Sequence, residues 1–304
     1  MRKKLLHIYD SLVRPFLYAV REWWPFWYNI LNKKARDLYR SHPVTLSPLE
    51  QKLVAELSRN GIVTTTIDEL FGKDFTLEEL KDYAKNLPPP ERDEVAMKKE
   101  VFQSRQWPIH PVLDYSNPFL RLTLDQRVFN IAHAYMKMWT KLKYYDLALT
   151  HVVSQDAQAQ YSQRWHRDPE EKRMVKLFIY LTDVDESCGP FTFVLGSVWG
   201  MKPYGHLFPQ KPPVGSYMDD TTFDKEVPKE AQRMMTGRAG TIILCDTSGL
   251  HKGGYATKGE RLMFTAFYAA PSHSDDVWYS PKDGSSLPEN ASKEVSYALT
   301  HTKD

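Results

Sequence analysis

Two cysteines in 304 residues, Cys188 and Cys245, cannot build a disulfide framework, and they lack the close pairing of a zinc knuckle or a thiol redox site. Cysteine this scarce fits a reducing compartment, so a cytoplasmic location is expected. Missing too is any apolar run of ~18 residues, the length from which a spanning helix is read. Charge of one sign is also lacking. The 40 Lys and Arg against 38 Asp and Glu leave a net +2, which makes no electrostatic case for a nucleic-acid partner. The start, Met1-Arg2-Lys3-Lys4, has the basic opening of a signal peptide. His7, Asp10 and Arg14 then interrupt it and no small-residue cleavage site follows, so secretion is not expected.

What is present is core material. Hydrophobic residues make up 42% of the chain, aromatics 13% and charged residues 26%, which excludes global disorder. The length allows two domains or one large one. Texture divides the chain into an aromatic and basic N-terminal segment (1–45), a helical flanking region (46–140), a β-rich core (141–275) and a C-terminal tail (276–304). The first segment carries Phe16, Tyr18, Trp23, Trp24, Phe26, Trp27 and Tyr28 among basic residues. Two readings stand for its first 40 residues: packing on the body of the protein or a twin subunit, or peripheral contact with a membrane surface, where such rings settle. Pro15 and Pro25 break any long helix there.

Helix punctuation is clear at 47–61, with Ser47 as N-cap, Pro48 at the first helical position, Glu50 completing a capping box and Gly61 as stop. A second helix is expected over 76–87, from Thr76 and Glu79 to Pro88-Pro89-Pro90. The charged stretch Glu91 to Glu100 reads as a mobile loop. A third helix, capped by Thr123 with Gln126, buries Val128, Ile131, Ala132, Tyr135, Met136 and Trp139. Beyond residue 140, β-rich runs at 142–153, 160–168, 174–184, 191–195, 240–246 and 261–269 suggest a sandwich or barrel. The Pro- and Gly-bearing stretch 200–236 is too long for a hairpin turn and reads as an insert or lid over a substrate.

The chemistry centres on Trp165-His166-Arg167-Asp168-Pro169. A kinase catalytic loop is excluded: the Asn required five residues after the Asp is Arg173, and no Gly-rich loop or Asp-Phe-Gly accompanies it. In a strand, His166 and Asp168 point to one face and present an imidazole and a carboxylate to one point. A second imidazole from a distant strand would complete a facial triad with open metal positions, which suits non-haem Fe(II). His251 lies just past the buried run 240–246. Arg261 follows ten residues later, and a hairpin between them would bring its fork back beside the metal. A buried guanidinium needs an anion, and its geometry suits the carboxylate of a dicarboxylic co-substrate. Thr265, four residues on in the same strand, shares the Arg261 face and offers a second hydrogen bond.

These residues, with Gly189-Pro190-Phe191-Thr192-Phe193-Val194-Leu195-Gly196-Ser197 and Gly240 to Asp246, resemble the phytanoyl-CoA dioxygenase-like branch of the Fe(II)/2-oxoglutarate oxygenases over about residues 120–270. Two departures are visible. Val198 stands where the family often has His after Gly-Ser, and the aromatic N-terminal segment is outside the family core. The resemblance implies a mainly β fold, a double-stranded β-helix or jelly roll with flanking helices. It implies Fe(II) held by His166, Asp168 and His251, 2-oxoglutarate gripped by Arg261, and O2 as co-substrate. It also implies hydroxylation or desaturation of an unactivated C–H bond in a small or lipid-like substrate, with release of succinate and CO2. Related halogenases vacate the carboxylate position, which Asp168 fills here.

The other histidines (His7, His42, His110, His133, His151, His206, His273, His301) show no ligand spacing and most read as surface or locally bonded residues; contact with substrate is the second reading for His206, which lies in the lid. Trp165 and Tyr161 read as pocket wall or core. Lys176 faces the co-substrate or points outward, and Gln155, Gln158, Gln160 and Gln163 form a polar run before the metal motif. Two competing classes remain: a non-catalytic, membrane-peripheral jelly-roll protein, and a zinc hydrolase or isomerase using the same three ligands. Arg261 at its spacing argues against the zinc enzyme.

Overall fold

A computed structural model describes residues 20, 23–87, 102–107, 111–154, 158–209, 217–273, 277, 279–281 and 291–300. The loop expected over Glu91–Glu100 lies outside these residues, as do much of the N-terminal segment and parts of the C-terminal tail.

Six strands form the larger sheet: β1 (Ile62–Thr66), β2 (Gln103–Arg105), β4 (Lys141–Thr150), β5 (Met174–Tyr180), β8 (Thr241–Cys245) and β10 (Arg261–Ala269). Their order is β1-β8-β5-β10-β4-β2, antiparallel throughout. The smaller sheet has the order β7-β6-β9, from β7 (Gln232–Met234), β6 (Thr192–Val194) and β9 (His251–Lys252). Single bridges extend it, His166 pairing with His251 and Trp165 with Met218. A parallel pair, β3 (Val112–Leu113) and β11 (Ser280–Pro281), stands apart. Two antiparallel sheets facing one another, with helices on the outside, make a double-stranded β-helix.

Strand alternation explains why two cores form. On β5, Val175, Leu177 and Ile179 point outward into the main core, with Ile242 and Leu244 of β8 and Phe264, Ala266 and Tyr268 of β10. Phe178 and Tyr180 point inward with Ile243, Cys245 and Met263, and meet Phe193 of β6 and the residues Phe191 and Val198 that flank that strand. Helices α1 (Lys33–Ser41), α2 (Pro48–Asn60), α3 (Ile67–Phe71), α4 (Leu77–Lys85), α5 (Pro118–Thr123) and α6 (Gln126–Met136) precede the β-rich core. Two more come later, α7 (Asp220–Glu226) and α8 (Lys293–Leu299).

The capping box of α2 is present in both directions, and Gly61 ends the helix at φ 82°. A Cβ at Gly61 would stand 2.6 Å from Val198 Cγ2, so glycine is needed for space as well as for conformation. Thr76 caps α4, its side chain accepting from the Glu79 amide. The cap of α6 is Asp125 rather than Thr123. Thr123 is instead the last residue of α5, begun by Asn117-Pro118, a start that a reading centred on Thr123 overlooks. The run 160–168 is a 3₁₀ turn (Tyr161–Gln163) and two bridge residues, not a continuous strand. The insert read over 200–236 is only partly loop: it contains α7 and the strand β7.

Candidate metal centre

His166 and His251 are bridge partners, each donating its amide to the other's carbonyl at 2.9 Å. This pairing, not the two-residue alternation of a single strand, brings the imidazoles together, with ring centroids 4.2 Å apart. Asp168 follows the bridge and is fixed by its amide, which donates to the Thr247 carbonyl at 2.9 Å. One ligand atom from each of His166, Asp168 and His251 lies within 4.8 Å of the others. Asp168 Oδ1 is 3.5 Å from His166 Nε2 and 3.6 Å from His251 Nε2. Two ligand atoms ~2.1 Å from a metal and at right angles are about 3 Å apart, so the cluster is close to closing on an ion.

The protonation pattern fits the same use. His166 Nδ1 donates to the Arg164 carbonyl at 2.8 Å, and His251 Nδ1 to the Gly249 carbonyl at 3.0 Å. A carbonyl only accepts, so each Nδ1 carries hydrogen, which in a neutral ring leaves the Nε2 lone pair for a metal. Burial, and then the neighbouring His166, hold His251 down to about 3. Burial pushes the Asp168 carboxyl up, but the Lys176 ammonium and the two imidazoles outweigh it and hold the carboxyl well below its ordinary range.

Arg261 opens β10 on the opposite sheet. Since β9 and β10 belong to different sheets, the link from His251 to Arg261 is a crossover and not the expected hairpin. The crossover places Arg261 and His251 on different sheets. Arg261 is 4% exposed and donates from Nη1 to the Gly189 carbonyl and from Nη2 to Thr150 Oγ1 at 3.2 Å. Its Nε is buried with no partner. No ion pair joins it to a carboxylate among the described residues; adjacent Glu260 is paired with His151 at 2.9 Å instead. Burial lowers the Arg261 pKa, and the Tyr180 hydroxyl beside it works in the opposite direction. A buried cation with a free donor and no counter-charge is costly unless an anion meets it. Thr265 is half-buried on the same strand face, with Asp146 as its cross-strand partner.

Other residues fall into place around this pair. Lys176 is buried, not outward, with Nζ 2.6 Å from Asp168 Oδ2 and 3.5 Å from Glu170 Oε1. Arg167, between the two ligands, points away from the centre and donates to the carbonyls of Ser197 (2.5 Å), Ser248 (2.6 Å), Leu207 (2.9 Å), Tyr204 (3.2 Å) and Phe208 (3.2 Å). Trp165 is core, stacked on Phe223 of α7 with centroids 4.1 Å apart. Gln163 and Gln160 cap one another in the turn before the motif, while Gln155 lies outside the described residues. Thr150 and Glu170 were not singled out from sequence. Alternation from Arg261 across the β4 register points to Thr150, but nothing local marks Glu170.

No family model and no curated protein matches the sequence. Among solved structures, the fold is similar to that of the epimerase SnoN in complex with Fe3+, alpha ketoglutarate and nogalamycin RO, with TM-score 0.50 and 16% identity over 73% of this chain and 84% of that one. It is also similar to EctD from S. alaskensis with 2-oxoglutarate and 5-hydroxyectoine, with TM-score 0.50 and 18% identity over 73% of this chain and 76% of that one. At such identities the likeness is one of fold.

Proposed function

We propose that the protein is an Fe(II)- and 2-oxoglutarate-dependent oxygenase that hydroxylates or desaturates a C–H bond of a small or lipid-like organic molecule. His166, Asp168 and His251 hold the metal, and Arg261 receives the distal carboxylate of the co-substrate. The observation that carries this reading is the presence of two features on the two facing sheets: a His-Asp-His cluster whose Nδ1 atoms are both held by backbone carbonyls, and a buried guanidinium without a carboxylate. A zinc hydrolase would use the first and leave the second unexplained.

The bound metal, with 2-oxoglutarate and O2, supplies the oxidising power, and succinate and CO2 leave. The chain's own residues set the conditions. His251 stays neutral down to about pH 3 and so keeps its lone pair available throughout the physiological range. Asp168 stays ionised. Arg261 and Thr150 form one donor group for an anion, with Thr265 on the same face as a second hydroxyl. Phe191, whose ring centroid is 5.4 Å from that of His251, and Phe267 beside Lys176 give the centre apolar walls that exclude water.

The test is an anaerobic titration of Fe(II) and then 2-oxoglutarate, followed by succinate release with O2 and a substrate panel. One metal per chain and the visible charge-transfer band of a chelated keto acid are expected in the parent. His166→Ala should abolish metal binding. An unchanged spectrum on adding 2-oxoglutarate would falsify the oxygenase reading and favour the zinc one.

Peripheral membrane contact belongs to the proposal for one reason. Trp23 and Ile30 are 63% and 61% exposed beside exposed Lys33 and Lys34, although Trp27 of the same segment is buried. Co-sedimentation with anionic vesicles, lost in Trp23→Ser/Ile30→Ser, is the expected result; equal recovery of both proteins in the supernatant removes the idea.

A further inference from the structure

A carboxylate can bind a metal through one oxygen or through both, and a partner held on the second oxygen favours the first mode. Here the second oxygen has such a partner. Asp168 Oδ1 faces the two imidazoles at 3.5 and 3.6 Å, whereas Oδ2 receives the Lys176 ammonium at 2.6 Å. Lys176 is a costly residue in its position. It lies near the start of β5, the middle strand of the catalytic face, between Cys245 of β8 and Phe267 of β10, and its side chain is 7% exposed. Its ammonium lies 5.1 Å from the ring centroid of Phe267 and 5.6 Å from that of Tyr144. A methionine would pack there without desolvating a charge. Glu170 Oε1, 3.5 Å away, holds the ammonium from a second side and so restrains it in place.

Resting on the function proposed above, we propose that Lys176 is a positioning residue that keeps Asp168 a one-oxygen ligand and thereby keeps metal positions open for the keto acid. Lys176 would act on a bound metal through Asp168, whose Oδ2 it holds. The bland alternative is that the lysine only neutralises two buried carboxylates. The two readings differ in what its removal does to the metal's remaining positions. Without Lys176, Oδ2 is free to rotate onto the ion beside Oδ1. A chelating carboxylate holds the metal at least as well but occupies a position the keto acid needs.

The experiment compares the parent with Lys176→Met and Lys176→Arg, all loaded anaerobically with Co(II). Three quantities are read: Co(II) affinity, 2-oxoglutarate affinity of the loaded protein, and the binding mode of Asp168 by X-ray absorption or crystallography. For Lys176→Met the expected result is Co(II) binding within about threefold of the parent or tighter. Affinity for 2-oxoglutarate should fall by about tenfold or more, with Asp168 chelating. Lys176→Arg, which keeps a donor on Oδ2, should stay within about threefold of the parent in both. Should Lys176→Met be recovered unfolded, Lys176→Gln, with a shorter neutral amide, carries the same three measurements. Loss of Co(II) binding by a folded variant, or a one-oxygen Asp168 with parental keto-acid affinity, overturns the proposal. Failure of the parent itself to bind Co(II) overturns the oxygenase reading and this one with it.

Discussion

At the scale of single residues, partnerless polar atoms are the most informative feature of this chain. Arg261 Nε is one of them, and its function is open to a direct test. Arg261→Met removes charge-assisted hydrogen bonds worth ~1.5–3 kcal/mol each, so KM for 2-oxoglutarate should rise by about 10–100-fold, with metal affinity unchanged. Arg261→Lys, a point charge in place of a fork, should recover only part of this. An unchanged KM in the Met variant would remove Arg261 from the co-substrate site. His133 shows the opposite use of burial. Its ring stacks between Phe129 and Trp139, neither nitrogen has a partner, and burial holds it down to about 3. The unfolded chain takes up this proton near the ordinary value of 6.5, whereas the folded chain does not until about 3. Between those limits the unfolded state binds the extra proton. The stabilisation is therefore complete above 6.5 and declines as pH falls, by at most ~1.4 kcal/mol per unit. His133→Phe should flatten that decline, seen as a smaller difference in urea midpoint between neutral and mildly acidic buffer. The same difference in both proteins would show that another group carries the acid sensitivity.

Arg167 shows what one side chain does for a whole element. Its guanidinium gathers carbonyls from Ser197, Tyr204, Leu207, Phe208 and Ser248, so the loop after β6 is fastened to the metal motif itself. Burial lowers its pKa to about 10, which still leaves it charged at neutral pH. Arg167→Leu orphans this set and should cost more than about 3 kcal/mol. The expected signs are a lower denaturant midpoint and faster proteolysis within 200–209; parental values in both would mean the loop stands without it. Elements of this kind were unevenly legible in the sequence. Caps and periodicities are local signals, so α2, α4 and the strand at 261–269 could be read almost to the residue. The triad could be read as well, because ligand chemistry restricts residue type so severely. Illegible were features set by partners far along the chain. Edge strand β1 follows Gly61 immediately and exists because β8 pairs with it. The His166–His251 bridge and the inward turn of Lys176 likewise depend on which strands become neighbours. His166 and Asp168 were brought to one point by reasoning from a regular strand, and they converge without one.

For the molecule as a whole, the N-terminal segment is tied to the site. Trp27 is fully buried and donates from Nε1 to Glu171 Oε1 at 2.5 Å, while Asn32 Nδ2 donates to Ser272 Oγ at 2.9 Å and Ser272 Oγ in turn to Glu171 Oε2 at 3.2 Å. Arg173 lies over the rings of Trp24 and Tyr135. For residues 23–41 the packing reading of the aromatic stretch is therefore the one that describes its inner side. Trp27→Ala should cost ~3–5 kcal/mol, and because Glu171 is three residues from Asp168, metal affinity should weaken along with Tm. A lowered Tm with parental metal affinity would confine the segment to a structural part. The crossover from His251 to Arg261 has a wider effect. With the metal ligands at one sheet and the guanidinium on the other, the proposed function would make the molecule a caliper, and the loops beside it touch closely: a Cβ on Gly254 would come within 2.7 Å of the Pro190 carbonyl oxygen, and one on Gly189 within 2.7 Å of the Gly254 oxygen. On the proposed function, the gap between metal and guanidinium would select a diacid by its carbon count. Oxaloacetate is one methylene shorter than 2-oxoglutarate and 2-oxoadipate one longer, so neither is expected to replace it, and prising the loops apart with Gly254→Ala should shift the preference toward the longer acid.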